Sequence, residues 1–327
     1  MRTLRPRRVL AAGAAVLAVV LAILWFVPSN YYVYLPDPAR PVDPLIRVPH
    51  EDEGSSKGGI YMVDVSIRKA SLLERLVPAV DSGATLVPAS DFLSPGTSER
   101  EQQEQSLEEM RASQAVAKAV ALRALGYRVP SAGAVVVIVS SGFPADGVLE
   151  KGDLVVRLDG HRIRTPEDVT AAMERVEPGD RIALVVRRDG KRKRLEVGTR
   201  AAAETPTRPV MGVLIEPKLH FPLDVRIDAG TIGGPSAGLA FALDIVDELG
   251  HDLDHGRRVV VTGALALSGR VLEIGGIKQK TLGARDADAD LFLVPKANAA
   301  EARRYAGPLR VVAVGSFEQA MSYLATG

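Results

Sequence analysis

The sequence predicts an α+β protein in which an amino-terminal transmembrane helix, a small β-rich module and a carboxy-terminal α/β domain follow one another. Three observations carry this reading. Nineteen uncharged residues, Val9 to Val27, stand behind Arg2, Arg5, Arg7 and Arg8. Between Gly133 and Thr199, short apolar strands are separated by turn residues, with one helical stretch among them. From Val210 onward, strand-like and helix-like segments alternate, the rhythm of a mixed α/β or α+β domain. A chain of 327 residues is long enough for two modest domains with cores of their own.

Residues 1–28 read as an arginine-rich cytoplasmic tip and a membrane anchor. A helix over the uncharged run just spans a hydrocarbon core of roughly 30 Å. The arginines hold their end in the cytoplasm, while Trp25, Tyr31, Tyr32 and Tyr34 suit the far interface. A cleaved signal peptide is the competing reading; the run is longer than an ordinary apolar signal core, and Trp-Phe-Val-Pro stands where small residues would mark cleavage. The rest of the chain is therefore expected outside the cytoplasm. Residues 29–58, with the proline-rich string LPDPARPVDPL, read as an extended tether.

Residues 59–130 begin with a strand in which Tyr61, Val63, Val65 and Ile67 alternate, followed by a short helix. Residues 82–98 are loop-like, and Ser98 to Leu125 forms a long helix, polar in its first half and rich in Ala, Val and Leu in its second. This region is expected to pack with the carboxy-terminal domain. The tract EREQQEQSLEEM reads as a solvated helix face.

The module at 131–200 opens with the apolar strand Ala134 to Val139, continues through PADGVLEKGDLVVRLDGHRI to a helix at Pro166–Arg175, and closes with IALVVRRDGKRKRLEV. The Asp189-Gly190 pair marks a hairpin turn. Pro144-Ala145, Leu149, Gly152-Asp153, Val155, Asp159-Gly160 and the helix from Glu167 to Met173 resemble a bacterial PDZ domain. The resemblance implies that a peptide adds as an extra strand on a sheet edge, with a carboxylate-binding loop around Val129 to Ala134. The basic run Arg187, Arg188, Lys191 to Arg194 reads as a solvated hairpin tip.

The last domain, 205–327, contains the stretch DAGTIGGPSAGLAFALDIVDEL from Asp228 to Leu249. Ser236 stands between a glycine loop and an apolar helix, where unbonded N–H groups and the positive end of the helix dipole gather. A nucleophile beside an oxyanion hole needs that setting; a plain N-cap serine uses it as well. Serine reacts only when a base takes its proton. GPSAG fits G-x-S-x-G, but a glycine loop replaces the strand that an α/β-hydrolase requires before its serine. His251 and His255 lie at the far end of the same helix, roughly 20 Å away, while His50, His161 and His220 fall in the tether, the β-rich module and a loop. The string G-x-x-x-x-G-K-[ST] is absent from the sequence, so no ATPase site is expected. A lysine serves as base when burial lowers its pKa, and VLEIGGIKQKTLGA offers two, Lys278 and Lys280.

GGPSAG followed by VVVTGALALSGRVLEIGGIKQKTLGA resembles the proteolytic domain of the Lon family over about Val210 to Leu324. The resemblance implies Ser236 as nucleophile, Lys280 as its base and Thr262 as a residue supporting the lysine, with Lys278 an exposed neighbour. Gly234, Pro235 and Ala237 flank the serine as supporting residues. Two departures stand out. Gly233 occupies the position where relatives carry an acid, leaving Asp228 as the acidic candidate, and Ala264 replaces the acid of a TGE string. Anchor, PDZ-like module and protease domain together resemble the membrane-anchored PDZ–Lon proteases of bacteria (YlbL-like).

The function expected is thus an ATP-independent serine endopeptidase with a Ser236–Lys280 dyad. It would act on peptides or unfolded protein segments outside the cytoplasm, with the PDZ-like module recruiting or gating substrate. The alternative is a non-catalytic, membrane-tethered peptide-binding scaffold. A homo-oligomeric ring, often of six subunits, is implied by the resemblance. With 41 basic against 40 acidic residues, bulk charge suggests no nucleic-acid partner. The absence of cysteine excludes thiolate chemistry and disulfides. No cofactor or metal is expected.

Overall fold

In the computed structural model, residues 6–49, 58–77, 83–93, 97–203 and 205–326 are described. Pro6–Phe26 is a helix, as the uncharged run predicts; of its side chains, those from residue 12 onward are described. Among the described residues no helix is long and apolar enough to cross a membrane. The expectations placed on Arg2 and Arg5, and on His50, lie outside the described residues.

The tether expectation is corrected. Pro28–Pro36 is the middle strand of an antiparallel three-stranded sheet, between Val65–Ser71 and Thr85–Pro88. Tyr32 and Val33 are buried there, and the Ser29 hydroxyl donates to the Ala70 carbonyl at 2.8 Å. Prolines at the strand's ends cost no ladder hydrogen bond, which is why a proline-rich stretch can still form a strand. Arg40–Pro41 pairs with Gly59–Met62 at the edge of a second sheet.

That second sheet is the frame of the carboxy-terminal domain. Its order is Arg40–Pro41, Gly59–Met62, Arg258–Val261, Leu291–Pro295, Arg310–Val314, the last four strands being mutually parallel. Leu291–Pro295 is buried throughout, and such strands read as continuous apolar runs because helices cover both faces. Gly59–Met62 lies next to Arg258–Val261, with Met62 opposite Val261. The domain expected at 205–327 therefore contains a strand from before the β-rich module, and the module is an insertion between two parts of one sheet. The long helix, Glu99–Ala124, begins at a Ser98–Glu101 capping box, which satisfies N–H groups left open at a helix start. Its Ala- and Val-rich half shares one buried core with the helix Gly238–Glu248 that follows Ser236.

The β-rich module has its own core. Its sheet runs Lys191–Gly198, Arg181–Arg188, Leu154–Leu158, Ser131–Val139, Val213–Leu219, with the helix Pro166–Met173 beside it. Asp189 and Gly190 both take positive φ (51° and 76°), the conformation that a two-residue hairpin turn requires. Asp153 explains the Gly-Asp pair. Its carboxylate is almost fully buried and takes bonds of 2.7 and 2.6 Å from the Arg188 guanidinium. Burial works against that charge, and the Arg188 and Glu150 hydrogen bonds outweigh it, holding the carboxyl below its ordinary value.

The carboxylate-binding loop expected around Val129 to Ala134 is corrected too. Ser131–Val139 is paired on both sides, by Leu154–Leu158 and by Val213–Leu219. Residues 131–134 lie in the ladder, with Ser131 opposite Leu219, rather than in a free carboxylate-binding loop. The terminal strand on that side is Val213–Leu219, contributed by the segment leading into the carboxy-terminal domain.

Arg188 also meets the Glu150 carboxylate and the Val148 carbonyl, so losing Asp153 leaves it only partly paired. Asp153→Ala is expected to destabilise the module by about 3 kcal/mol, checked by denaturant unfolding; a loss near zero would show that Glu150 and water satisfy Arg188 instead.

Candidate active site

Three chain segments meet at Ser236. The first is the loop that carries it. Gly263 N donates to the Ser236 carbonyl at 2.8 Å, and Leu239 N donates to the Gly263 carbonyl at 3.0 Å, so the end of strand Arg258–Val261 clasps the loop where it becomes helix. From the other side the long helix holds it. Gly234 N donates to the Ser106 carbonyl at 2.8 Å, and the Ser113 hydroxyl donates to the Pro235 carbonyl at 3.0 Å. Ser106 and Ser113 stand two turns apart on one helix face. The sequence reading missed both, having placed Ser106 in a solvated face; their spacing was the available signal.

The second segment is the helix Ile277–Asp286. It starts at Gly276, whose φ of 68° suits a residue without a Cβ. The turn before it is fixed by Asn298, which accepts from Ile274 N and donates to the Ile274 carbonyl, both at 3.0 Å. On this helix Lys278 and Lys280 point to different faces, since two residues turn the helix by about 200°. The Lys278 ammonium donates to the Ala84 carbonyl and the Thr85 hydroxyl at 3.1 and 3.3 Å. It is half-buried on the strand Thr85–Pro88, which corrects its expected exposure. Lys280 turns inward, with 4% of its surface exposed.

The third segment supplies Thr262, fully buried at the end of its strand. Lys280 Nζ lies 2.5 Å from Ser236 Oγ and 3.4 Å from Thr262 Oγ1, and Thr262 Oγ1 lies 3.3 Å from the Ser236 carbonyl oxygen. The structure thus brings together Ser236, Lys280 and Thr262, with Gly234, Pro235 and Ala237 in the loop around them. Burial lowers the Lys280 pKa to about 8, and the negative charge of Asp64 acts in the opposite sense. An amine with that pKa is about one-tenth neutral at pH 7 and mostly neutral above pH 8, and a neutral amine in contact with a hydroxyl can accept its proton.

Asp228 is not part of this group. It is exposed, and its carboxylate accepts from Gly230 N at 3.1 Å, closing its own turn. A Cβ at Gly233 would lie 2.3 Å from Ser106 Oγ and 3.1 Å from Ser106 Cβ, so an acid there requires Ser106 to move. Ala264 is buried in a hairpin strand beside Leu272. The acid the structure does place near Lys280 is Asp64, which the sequence reading did not single out. His161, His220, His251 and His255 contribute no hydrogen bond to Ser236 among the described residues; His161 meets Arg175 at 2.9 Å. The side chains among the described residues that could hold a metal ion together are Asp247, Asp252 and Asp254, at the opposite end of the serine helix. Their carboxylates already accept from Leu253 N, His255 N and Gly256 N respectively.

A buried lysine contacting a serine beside a glycine loop defines a class of site, that of serine hydrolases with an amine base. Comparison with known proteins narrows the class. Residues 213–317 match the Lon protease (S16) C-terminal proteolytic domain, and residues 101–199 match the PDZ domain; both domains are present in the chain. It is 42% identical over 89 residues to Lon protease 1 of Bacillus subtilis, covering 26% of this chain and 11% of that protein. It is 39% identical over 83 residues to the Lon protease of Roseiflexus castenholzii, covering 25% and 10%. The chain spans about a tenth of the length of the curated relatives it matches. The PDZ domain of an SdrC-like protein from Listeria monocytogenes aligns at 22% identity with a TM-score of 0.25, covering 27% of this chain and 93% of that one.

Burying Lys280 opposes folding wherever the unfolded lysine is charged and the folded one resists charge. Its pKa is lowered on folding, so stability rises with pH from about 8 to 10. Lys280→Met should therefore stabilise the fold near neutral pH, by up to about 3 kcal/mol, while ending any chemistry that needs the amine. Unfolding curves of the variant at neutral pH check this; a clear loss of stability would mean that the amine is better solvated than its burial indicates.

Proposed function

We propose that this chain is a membrane-anchored, ATP-independent serine endopeptidase of the PDZ–Lon (YlbL-like) kind, acting on peptides and unfolded protein segments outside the cytoplasm. The observation that carries the reading is the 2.5 Å contact between Lys280 Nζ and Ser236 Oγ, made by a lysine that burial has brought to a pKa of about 8.

In the proposed reaction Ser236 Oγ attacks the scissile carbonyl as its proton passes to neutral Lys280. The ammonium so formed then protonates the leaving amine. Water, deprotonated by the same lysine, hydrolyses the acyl-enzyme. The backbone N–H groups of Ser236 and Ala237, at the head of the serine helix, are assigned to the oxyanion. Thr262 keeps the amine aimed at Ser236. The arrangement needs no metal or cofactor.

The phosphate-loop string is absent from this sequence, which supports independence from ATP; a peptidase working without a motor takes substrates that arrive already extended. The anchor is argued from the arginines before the uncharged run and from the helix Pro6–Phe26, which leaves Val16, Leu17, Val19, Ile23 and Phe26 more than half exposed. A contiguous apolar surface of that kind calls for a membrane or a partner. The resemblance implies a homo-oligomeric ring, often of six subunits. The role of the PDZ-like module is supported by one bond between units: Glu167, opening the module's helix, accepts from Leu267 N at 2.8 Å. Leu267 lies a few residues beyond Thr262, so a peptide that shifts the module pulls on the edge of the site.

Cleavage of an unstructured peptide by the full chain tests the dyad. Ser236→Ala and Lys280→Ala should each lower kcat/KM by about 10³-fold, and added ATP should leave the rate unchanged. If either variant keeps wild-type activity, the dyad is wrong. The base must be neutral to act, and its pKa is about 8; kcat/KM should therefore climb with pH through that value and level off above it. A rate highest in mild acid would contradict a lysine base.

A further inference from the structure

Near Lys280 the serine loop contributes Ser236 and the strand end contributes Thr262, neither of which carries charge. On the lysine's own helix, Lys278 is turned to Ala84 and Thr85. The charged side chain that faces the amine from the remaining neighbour is Asp64, in the turn between strands Gly59–Met62 and Val65–Ser71.

Its position is fixed by packing. Met62 stands opposite Val261 in a parallel ladder, so the chain enters the turn beside Thr262. Val63 and Val65 then grip the lysine helix on either side of Lys280. A Cβ at Gly283 would lie 3.0 Å from Val63 Cγ2, and one at Gly276 would lie 2.7 Å from Val65 Cγ2. Gly283 also abuts the Asp37 carbonyl. Arg40 ties these pieces together, at 2.7 Å from the Asp37 carboxylate and 3.4 Å from that of Asp64. The Asp64 side chain is only 15% exposed.

We propose that Asp64 is a positioning residue for the Ser236–Lys280 pair, its carboxylate serving as the buried counter-charge of the ammonium that forms when Lys280 takes the serine proton. This rests on the dyad reading above. It also accounts for Gly233. At the position before the serine, Ser106 of the long helix crowds any side chain and the residue is glycine; the counter-charge comes instead from a turn in the first part of the chain. Burial holds the Asp64 pKa above its ordinary value, and Lys280 and Arg40 offset part of that rise.

The sign of the effect follows. An anion near Lys280 favours its protonated form, so Asp64→Asn, which keeps shape and removes charge, leaves a weaker base with a lower pKa. The acid limb of the kcat/KM profile for an unstructured peptide should move to lower pH by about one unit, with the plateau falling about tenfold or more. Arg40→Gln, at an exposed site, removes a competing cation and should move the limb to higher pH. A structural role alone would lower the plateau of Asp64→Asn without moving the limb, and that result overturns the proposal. If Asp64→Asn does not fold, or is too slow to profile, Arg40→Gln decides, an unmoved limb again being fatal. Ser236→Ala and Lys280→Ala run alongside separate the two failures. Should they stay active, the dyad itself falls; should they be dead while the limb stands still, only the assignment to Asp64 does.

Discussion

The site depends on keeping one amine dry. Lys280 is almost without solvent, and an isolated ammonium in such surroundings costs several kcal/mol. That cost is what lowers its pKa and makes it a base. The surrounding architecture can be understood as the means of enforcing it. The helix must start abruptly, so it follows a left-handed Gly276 and a turn locked by Asn298. It must lie close to its neighbours, so Gly283 presses against the backbone of Asp37 and the side chain of Val63. The serine must be held while the lysine is driven toward it, so its carbonyl is bonded by Gly263 N and its loop by the long helix.

Closing that pocket draws on parts of the chain that are remote in sequence. The strand Gly59–Met62 precedes the PDZ-like module, yet it lies beside Arg258–Val261 and leads directly into the turn that carries Asp64. In the other direction Val213–Leu219 leaves the module only after completing its sheet. The module is therefore an insertion in the carboxy-terminal domain and takes one strand, Val213–Leu219, from the segment that leads back into it. With Glu167 bonded to Leu267 N, the two units form a joint with several fixed points rather than beads on a flexible thread. A displacement of the module has short, hydrogen-bonded routes to the loop that follows Thr262, and coupling of this sort needs contiguous contacts of that kind.

Local chemistry was legible in the sequence, and long-range pairing was not. A serine between a glycine loop and an apolar helix, and a lysine after a Gly-Gly turn, are signals contained within a few residues. Excluding the histidines at the far end of the serine helix required only helix geometry. Choosing Lys280 over Lys278 was beyond the pattern, because both fit one short helix and only the neighbours show which face is buried; the family resemblance made that choice. The proline-rich stretch misled for a related reason. Proline marks it as poor helix, which favours a tether and an edge strand equally, and only the partner strands Val65–Ser71 and Thr85–Pro88 decide between them. The expected carboxylate-binding loop failed likewise, since nothing local to Val129–Ala134 reveals that Val213–Leu219 already lies against it.

The missing acid is the sharpest case of this division. Counting back from Ser236 leads to Gly233 and then to Asp228, the nearest carboxylate in sequence, and neither serves. Gly233 carries no side chain and lies against Ser106, and Asp228 closes its own turn in solvent. A buried base needs its counter-charge near in space, whichever segment supplies it. A parallel sheet brings distant segments side by side at its carboxyl ends, where loops from successive strands collect and ligand sites in α/β folds usually form. Met62 and Val261 end adjacent parallel strands, so Asp64 and Thr262 emerge together at that edge, and the lysine helix lies across it. The topology of the sheet thus places a carboxylate from the first part of the chain against a lysine from the last. The same topology explains how an inserted module can intervene in sequence without separating the residues of the site.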